Sequence, residues 1–389
     1  MKISIKKYLL YSSIFAIFTE AFFFNFIIDW KLLYAIIIIN YCLLLRLGKL
    51  KINKYFALIM SGVFVHAIIV NLIIGIPPNY MFSQIIGITI IGTYYYNFIP
   101  LFDKEDIIKV YVKMCFYAAI IGYIFYFLNI NLNDGRLQSI FKEPAHYVIV
   151  VIPACYYFMK QKQYAFFLTL FGTLILSNSS LGYIGCALMF IMPNISLKRM
   201  VYLVCLLPIV FGSFYYIYNN YTFFKMRVEE TYESLNVINT GKFKEDTNLS
   251  SYALISNLFV AKNNITEHPF GTGIGSHLYM HNKVYLKKMR PPEYLRVQHL
   301  QAINATDANS LFTRIVSEMG VLGFLLVVVL MYKASKIYSA EELIMAQGIF
   351  IYFILKLFRD GHYFPPELYF FIWYFYYSFQ DYNRKKELA

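Results

Sequence analysis

The chain has 389 residues, 59% of them hydrophobic and 15% charged, and a formal net charge of +13. An ordinary soluble domain carries roughly 45–50% apolar and ~25% charged residues, so this composition excludes a water-soluble globular protein. It also argues against nucleic acid as the reason for the positive charge, because most lysines and arginines cluster in short stretches between apolar runs, where they set orientation in a membrane.

Apolar runs long enough to cross ~30 Å of hydrocarbon recur along the chain. In order, they predict helices over 8–28, 30–47, 55–76, 82–100, 107–128, 144–160, 164–178, 180–193, 198–219, 306–332, 343–358 and 364–380. The first has no small-residue cleavage site and reads as a retained helix rather than a removed signal peptide. The seventh and eighth are short and separated by "SNSS", which leaves open broken or re-entrant pieces. The expected fold is an all-α polytopic membrane protein of about twelve transmembrane helices.

Basic clusters at Lys2, Lys6 and Lys7, at Arg46 to Lys54, at Lys104 to Lys113, at Lys160 and Lys162, at Lys198 and Arg199, at Lys333 and Lys336, and at Arg384 to Lys386 all fall on one side if both termini are cytoplasmic. The chain then divides into helices one to nine over 1–219, one large extracytoplasmic cap loop over 220–305, and helices ten to twelve with a cytoplasmic tail over 306–389. The five cysteines, Cys42, Cys115, Cys155, Cys186 and Cys205, all lie inside apolar runs. They read as small buried residues rather than as a disulfide or metal framework.

On this topology polar residues gather at the outer face. In "NDGRLQSIFKEPAHYVIV", Pro144 suits the first turn of a helix. Glu143 then stands at a helix N-terminus with His146 a turn away. It is either a carboxylate favoured by the helix dipole or, with Arg136, Lys142 and His146, part of a functional mouth. In "HPFGTGIGSH", Gly271, Gly273 and Gly275 either make a tight turn or present N–H groups to an anion. No strand–GK[ST]–helix context makes it a nucleotide loop. Lys287, Lys288, Arg290 and Arg296 form either a solvated surface or a set of phosphate contacts.

"DANSLFTRIVSEMGVLGFLL" starts the tenth helix with Asp307 and Asn309 and then sets Arg314 and Glu318 on one face. Either the two neutralise each other within the bundle, or they mark a functional site, as ionisable groups inside a membrane commonly do. Gly320 and Gly323 below them suit close helix packing. Arg359, Asp360 and His362, at the outer end of the eleventh helix, can join the same mouth. Glu20 and His66 read as satisfied polar contacts within helices. His277 and His281 lack the HExxH pattern or the cysteine partner of a zinc site, so no metal and no cofactor is expected.

These motifs, in this order and sidedness, resemble those of Wzy-type polysaccharide polymerases within the O-antigen polymerase and ligase group. "RLQSIFKEPAHYVIV" looks like that group's "R…G-F-x-E-P" helix start, "EHPFGTGIGS" like its "hP-x-G-x-G" segment, and "DANSLFTRIVSEMGVLGFL" like its "HN-x-x-L…E-x-G-x-x-G" helix start. The shared architecture covers essentially the whole chain.

The resemblance implies a metal-independent, GT-C-related glycosyltransferase in the bacterial cytoplasmic (inner) membrane, acting in capsule or lipopolysaccharide biosynthesis. Its substrates would be undecaprenyl- or other polyprenyl-pyrophosphate-linked oligosaccharides, met at the outer leaflet among membrane lipid. A departing pyrophosphate needs fixed positive charge. Arg136, Arg290, Arg296 and Arg314 are the candidates, with His146, Asn309 and Glu318 beside them. The attacking hydroxyl needs a carboxylate to take or orient its proton, and Glu143 and Asp307 are the catalytic candidates.

Two positions depart from the group. Asn309 stands where many members have histidine, and "SNSSLG" lacks the arginine of the group's "S-x-S-R" turn. The alternatives are an O-antigen ligase, a lipid-linked oligosaccharide flippase or transporter, which would need two pseudo-repeated halves, and a peptidoglycan glycosyltransferase of the SEDS type. A flippase and a chain-length regulator are the candidate protein partners.

Overall fold

The computed structural model describes residues 4–26, 28–130, 135–194, 212, 215, 216, 218–220 and 222–388. The expected ninth helix, 198–219, and Cys205 fall almost wholly outside these residues. The architecture is all-α, with a single two-stranded hairpin among the described residues.

The N-terminus departs from expectation. The run 8–28 is not one helix: α1 (Ile5–Phe15) ends in a 3-10 turn through Phe18, and β1 (Phe23–Phe26) pairs antiparallel with β2 (Ile28–Lys31). The run of aromatics after Glu20 suits extended chain as well as helix. The Thr19 hydroxyl donates to the Ala16 carbonyl where the helix stops. Glu20 is thereby delivered to a polar partner instead of being carried into hydrocarbon.

Next come α2 (Leu32–Arg46), α3 (Lys54–Ile74), α4 (Asn79–Phe98), α5 (Lys104–Phe127), α6 (Pro144–Lys160), α7 (Tyr164–Leu176) and α8 (Ser180–Ile191). The hydrophilic segment holds α9 (Thr222–Thr240) and α10 (Leu249–Glu267), followed by short helical turns over 277–288 and 293–297. It closes a small core of its own from Phe259, Val260, Met280, Tyr285 and Met289, with Ile76 at its edge. The chain ends with α11 (Leu311–Ser335), α12 (Ile344–Phe358) and α13 (Pro366–Leu388).

Among the described residues, the stretches long and apolar enough to cross a membrane are Lys54–Ile74, Lys104–Phe127 and Leu311–Ser339. The apolar helices α2, α7, α8 and α12 have 15, 13, 12 and 15 residues. At 1.5 Å per residue they reach only ~18–23 Å, short of the ~30 Å hydrocarbon core. The long apolar helices are therefore fewer than the dozen expected spans.

The centre of the bundle is α6, whose side chains from Tyr147 to Tyr156 are all buried. It packs most extensively against α12, and also against α7 and α8. Pro153 removes one helical N–H from its interior. In the same stretch the Tyr111 hydroxyl of α5 donates to the Val150 carbonyl at 2.5 Å, adding a tie between the two helices. Because α6 is buried all round, its N-terminal turn, with His146, is held in one place at the end of the bundle where the site lies.

Candidate functional site

Helix α11 is broken. Gly320 adopts φ 58° and ψ −144°, outside any helical region, with helix on both sides of it. A side chain there is strained whatever the space, and a Cβ would also run into the Pro269 carbonyl. The break frees backbone groups on α11, and the glycine-rich loop pairs with them. Val321 donates to the Pro269 carbonyl at 2.9 Å, and Gly273 donates to the Glu318 carbonyl at 2.8 Å. Gly320 is thus a hinge in the chain rather than a small residue at a helix crossing.

The loop's N–H groups do meet an anion, and that anion is the protein's own. Glu318 is fully buried, and its carboxylate accepts from the Gly275 N–H at 2.8 Å and the His277 N–H at 3.2 Å. Around it runs a closed polar network. His277 sits between Ser317 Oγ at 2.8 Å and Asn257 Oδ1 at 3.0 Å. The Asn264 amide donates to Thr272 Oγ1 at 2.8 Å and to Ser317 Oγ at 2.9 Å. With both ring nitrogens of His277 engaged and His281 bonded to Asn282, the two histidines do not form a metal pair.

Burial holds the His277 imidazole well below its ordinary value of 6.5, with the positive fields of His281 and Arg314 adding to the effect. An unfolded chain would take up a proton near 6.5 that the folded chain refuses. Stability therefore falls as pH drops below 6.5, and it is unaffected by His277 above that value. Hydrogen exchange of residues 249–300 is expected to show faster opening at pH 5.5 than at pH 7.5. His277→Asn is expected to flatten that difference.

The third partner of Glu318 is Arg314, whose Nε donates to it at 3.2 Å. Arg314 Nη1 donates to the Gly361 carbonyl at 2.9 Å, and its guanidinium carbon lies 4.2 Å from the centre of the Tyr363 ring. The side chain is 2% exposed yet lines a cavity of about 280 Å³. A guanidinium carries five N–H donors in a rigid fork, and no acceptor takes Nη2 among the described residues. Held on one edge and on its face, Arg314 keeps donors for whatever occupies the cavity.

Besides Arg314, Gln84 and Thr306, the cavity draws polar residues of its wall from four places. Glu20 follows the turn after α1, Lys31 ends β2 and caps the start of α2, Asp360 and His362 belong to the α12–α13 loop, and Glu367 lies in the first turn of α13. Ile17, Leu33, Tyr34, Phe364, Pro365 and Pro366 make its apolar side. Glu20 accepts from His146 at 2.7 Å and lies 3.9 Å from Lys31. Lys356, completely buried, is ion-paired with Asp360 and lies 3.8 Å from Glu367. Burial works against the Asp360 carboxylate, but Lys356, His146 and His362 outweigh it and hold its pKa well below the usual range. Asp360 also has φ 61°, an uncommon conformation for a non-glycine residue.

Asp307 stands beside this wall. Its carboxylate accepts from the Gly361 N–H at 3.3 Å and the Asn309 N–H at 3.2 Å. One potential ligand atom from each of Asp307, Asp360 and His362 lies within 4.8 Å of the others, an arrangement able to hold a cation, although Asp360 already has the Lys356 ammonium.

Of the residues singled out in the sequence, Arg314, Glu318, Asp307 and His146 come together at or behind the cavity. Asn309 is buried nearby, with Asn304 donating to its Oδ1 at 2.9 Å. Glu143 caps α6 without a side-chain capping bond and is not in the cavity wall. Arg136 lies elsewhere, donating through Nε to the Ser177 carbonyl at 3.4 Å. The "SNSS" turn, which lacks its own arginine, receives one from another part of the chain. Arg290 and Arg296 are exposed on the hydrophilic segment and do not line the cavity.

Lys31, Lys356 and Glu367 escaped the sequence reading, and Glu20 was taken for an isolated polar contact. Each is a single charge at or near the end of an apolar run, where topology alone accounts for it. Their convergence appears only in three dimensions.

The model of the family described as O-antigen ligase matches residues 165–328, from α7 through the glycine-rich loop to the lower half of α11. The match supports assignment to the Wzy and O-antigen ligase type of family, which covers both ligase and polymerase activities. No curated protein sequence matches the chain.

Proposed function

From that family assignment, we propose that the chain is a polysaccharide polymerase. It joins polyprenyl-pyrophosphate-linked oligosaccharide repeat units at the outer face of the cytoplasmic membrane, and it spans that membrane about twelve times with both termini inside. The observation that carries this reading is Arg314: a buried guanidinium braced by Glu318 and Gly361, with donors left over, in the wall of a cavity that also holds Lys31 and several carboxylates.

The reaction asks for that combination. As the glycan leaves, negative charge grows on the pyrophosphate, and preorganised donors in a site poor in water stabilise it most. Arg314 and Lys31 supply the charge. The N-terminal ends of α2 and α13, both in the cavity wall, add their positive dipole ends. A carboxylate on the same wall takes the proton of the acceptor hydroxyl. The apolar side, with Tyr34 and Phe364, suits the lipid-proximal part of the substrate. The helix ends that meet here are also ends that the positive-inside pattern assigns to the outer face.

One observation favours a second reading, an O-antigen ligase that passes the finished chain to a lipid anchor: the description of the matching family. Gene deletion separates the two. A polymerase predicts loss of the polysaccharide ladder, with single repeat units still reaching the surface anchor. A ligase predicts long chains that persist on polyprenyl pyrophosphate, unattached. An unchanged ladder on the anchor would sink both.

A further inference from the structure

We infer that Glu367 is the catalytic base of this site, the group that takes the proton from the acceptor hydroxyl; the inference rests on the glycosyl-transfer reading above. Four other carboxylates lie at or beside the cavity, and each is committed elsewhere. Glu318 accepts from Arg314 and two loop N–H groups. Glu20 accepts from His146. Asp360 is paired with Lys356 and accepts from the His362 N–H. Asp307 accepts from the Gly361 and Asn309 N–H groups.

Glu367 differs. It is 9% exposed and lines the cavity, and among the described residues it accepts no hydrogen bond from another residue's side chain. Its nearest cation, Lys356, stands 3.8 Å away, beyond hydrogen-bond reach, and is already paired with Asp360.

That distribution decides which carboxylate can change its charge. Protonating Glu20 or Asp360 would strand the buried partner, a cost of several kcal/mol. Protonating Glu367 strands nothing, because Asp360 continues to neutralise Lys356. The Lys356 charge nearby attracts the Glu367 carboxylate without holding it in a bond. Glu143 and Asp307, the carboxylates the sequence favours, lack either the position or the freedom: Glu143 is outside the wall, and Asp307 spends both oxygens on backbone.

In the step itself, the acceptor O–H gives its proton to the Glu367 carboxylate while its oxygen bonds to the anomeric carbon of the donor sugar. The bond from that carbon to the pyrophosphate oxygen breaks, and its electron pair leaves with the polyprenyl pyrophosphate, held by Arg314 and Lys31. Glu367 later returns the proton to water.

The test uses full-length protein in nanodiscs and, as both donor and acceptor, the single-repeat lipid pyrophosphate extracted from the deletion strain. Glu367→Gln keeps size and polarity. It is expected to lower kcat by ~10²–10⁴-fold with little change in KM. The acid arm of the parental pH–rate profile should disappear, and formate should restore part of the rate to Glu367→Ala, an effect that a merely structural role would not produce.

A Glu367→Gln rate within about threefold of the parent overturns the assignment, as does a loss seen mainly in KM with no rescue. Should the Gln variant accumulate poorly, Glu367→Asp carries the test: kcat must fall while the acid arm stays, and an unchanged kcat overturns it. Arg314→Ala run alongside separates the two levels. If it retains full activity, the reading of the whole site fails. If it is inactive while Glu367→Gln is active, only the base is misassigned.

Discussion

Arg314→Lys is expected to lower the rate of glycan transfer by at least ~10²-fold while leaving membrane insertion and yield near normal. Lysine keeps the charge but offers a single ammonium in place of the planar fork. It cannot hold Glu318 and the Gly361 carbonyl, lie flat near Tyr363 and still point donors into the cavity.

Arg314→Ala should remove activity altogether, and it will also destabilise. Glu318, fully buried, would keep its two loop N–H partners and lose its only cation among the described residues. Breaking a buried pair on one side costs ~3–5 kcal/mol. The double replacement Arg314→Met with Glu318→Gln tells the two effects apart. Its neutral amide leaves no buried charge unpaired and keeps one oxygen to accept from Gly275 or His277, so thermal stability in detergent should recover in part, and activity should not. If activity returned with stability, Arg314 would be a packing element and not a pyrophosphate ligand.

How much of this was legible in the sequence depends on the kind of signal. Most helices were, because an apolar run bounded by charge is a strong one: α6 was expected over 144–160 and observed there, and α3, α5 and α12 lie within a few residues of expectation. The first run misled, since hydropathy does not distinguish a helix from a hairpin of phenylalanines. The Arg314–Glu318 pair was legible because i,i+4 spacing places two charges on one face.

The glycine loop offered anion holding only beside a tight turn, and nothing in it pointed to Glu318, a residue roughly forty positions away whose approach depends on the break at Gly320. Lys31, Lys356 and Glu367 carried no signal of their own. A lone charge at a helix end is ordinary in a membrane protein, and only the fold brings Lys31 beside Glu20 and Lys356 beside both Asp360 and Glu367.

Gly320→Ala is expected to be among the most damaging single-methyl changes in the chain. At φ 58° and ψ −144° an alanine pays for a sparsely populated backbone region, and its Cβ collides with the carbonyl of Pro269. Together these amount to roughly 3 kcal/mol or more. The chain has one escape, which is to straighten α11 into a continuous helix. That would take Glu318 away from the Gly275 and His277 N–H groups, release the loop that pairs with Val321, and let Arg314 turn from the cavity. The variant should therefore melt several degrees lower in detergent and lose transfer activity together, whereas Arg314→Lys loses activity alone.

Gly62→Ala is the control. It lies in α3, its Cβ would meet nothing within 4 Å, and its helical backbone favours alanine over glycine by up to ~1 kcal/mol. If Gly320→Ala melted and turned over like Gly62→Ala, the break in α11 would not be what aims Arg314. The backbone dihedral at Gly320 would then have no part in placing the pyrophosphate contact.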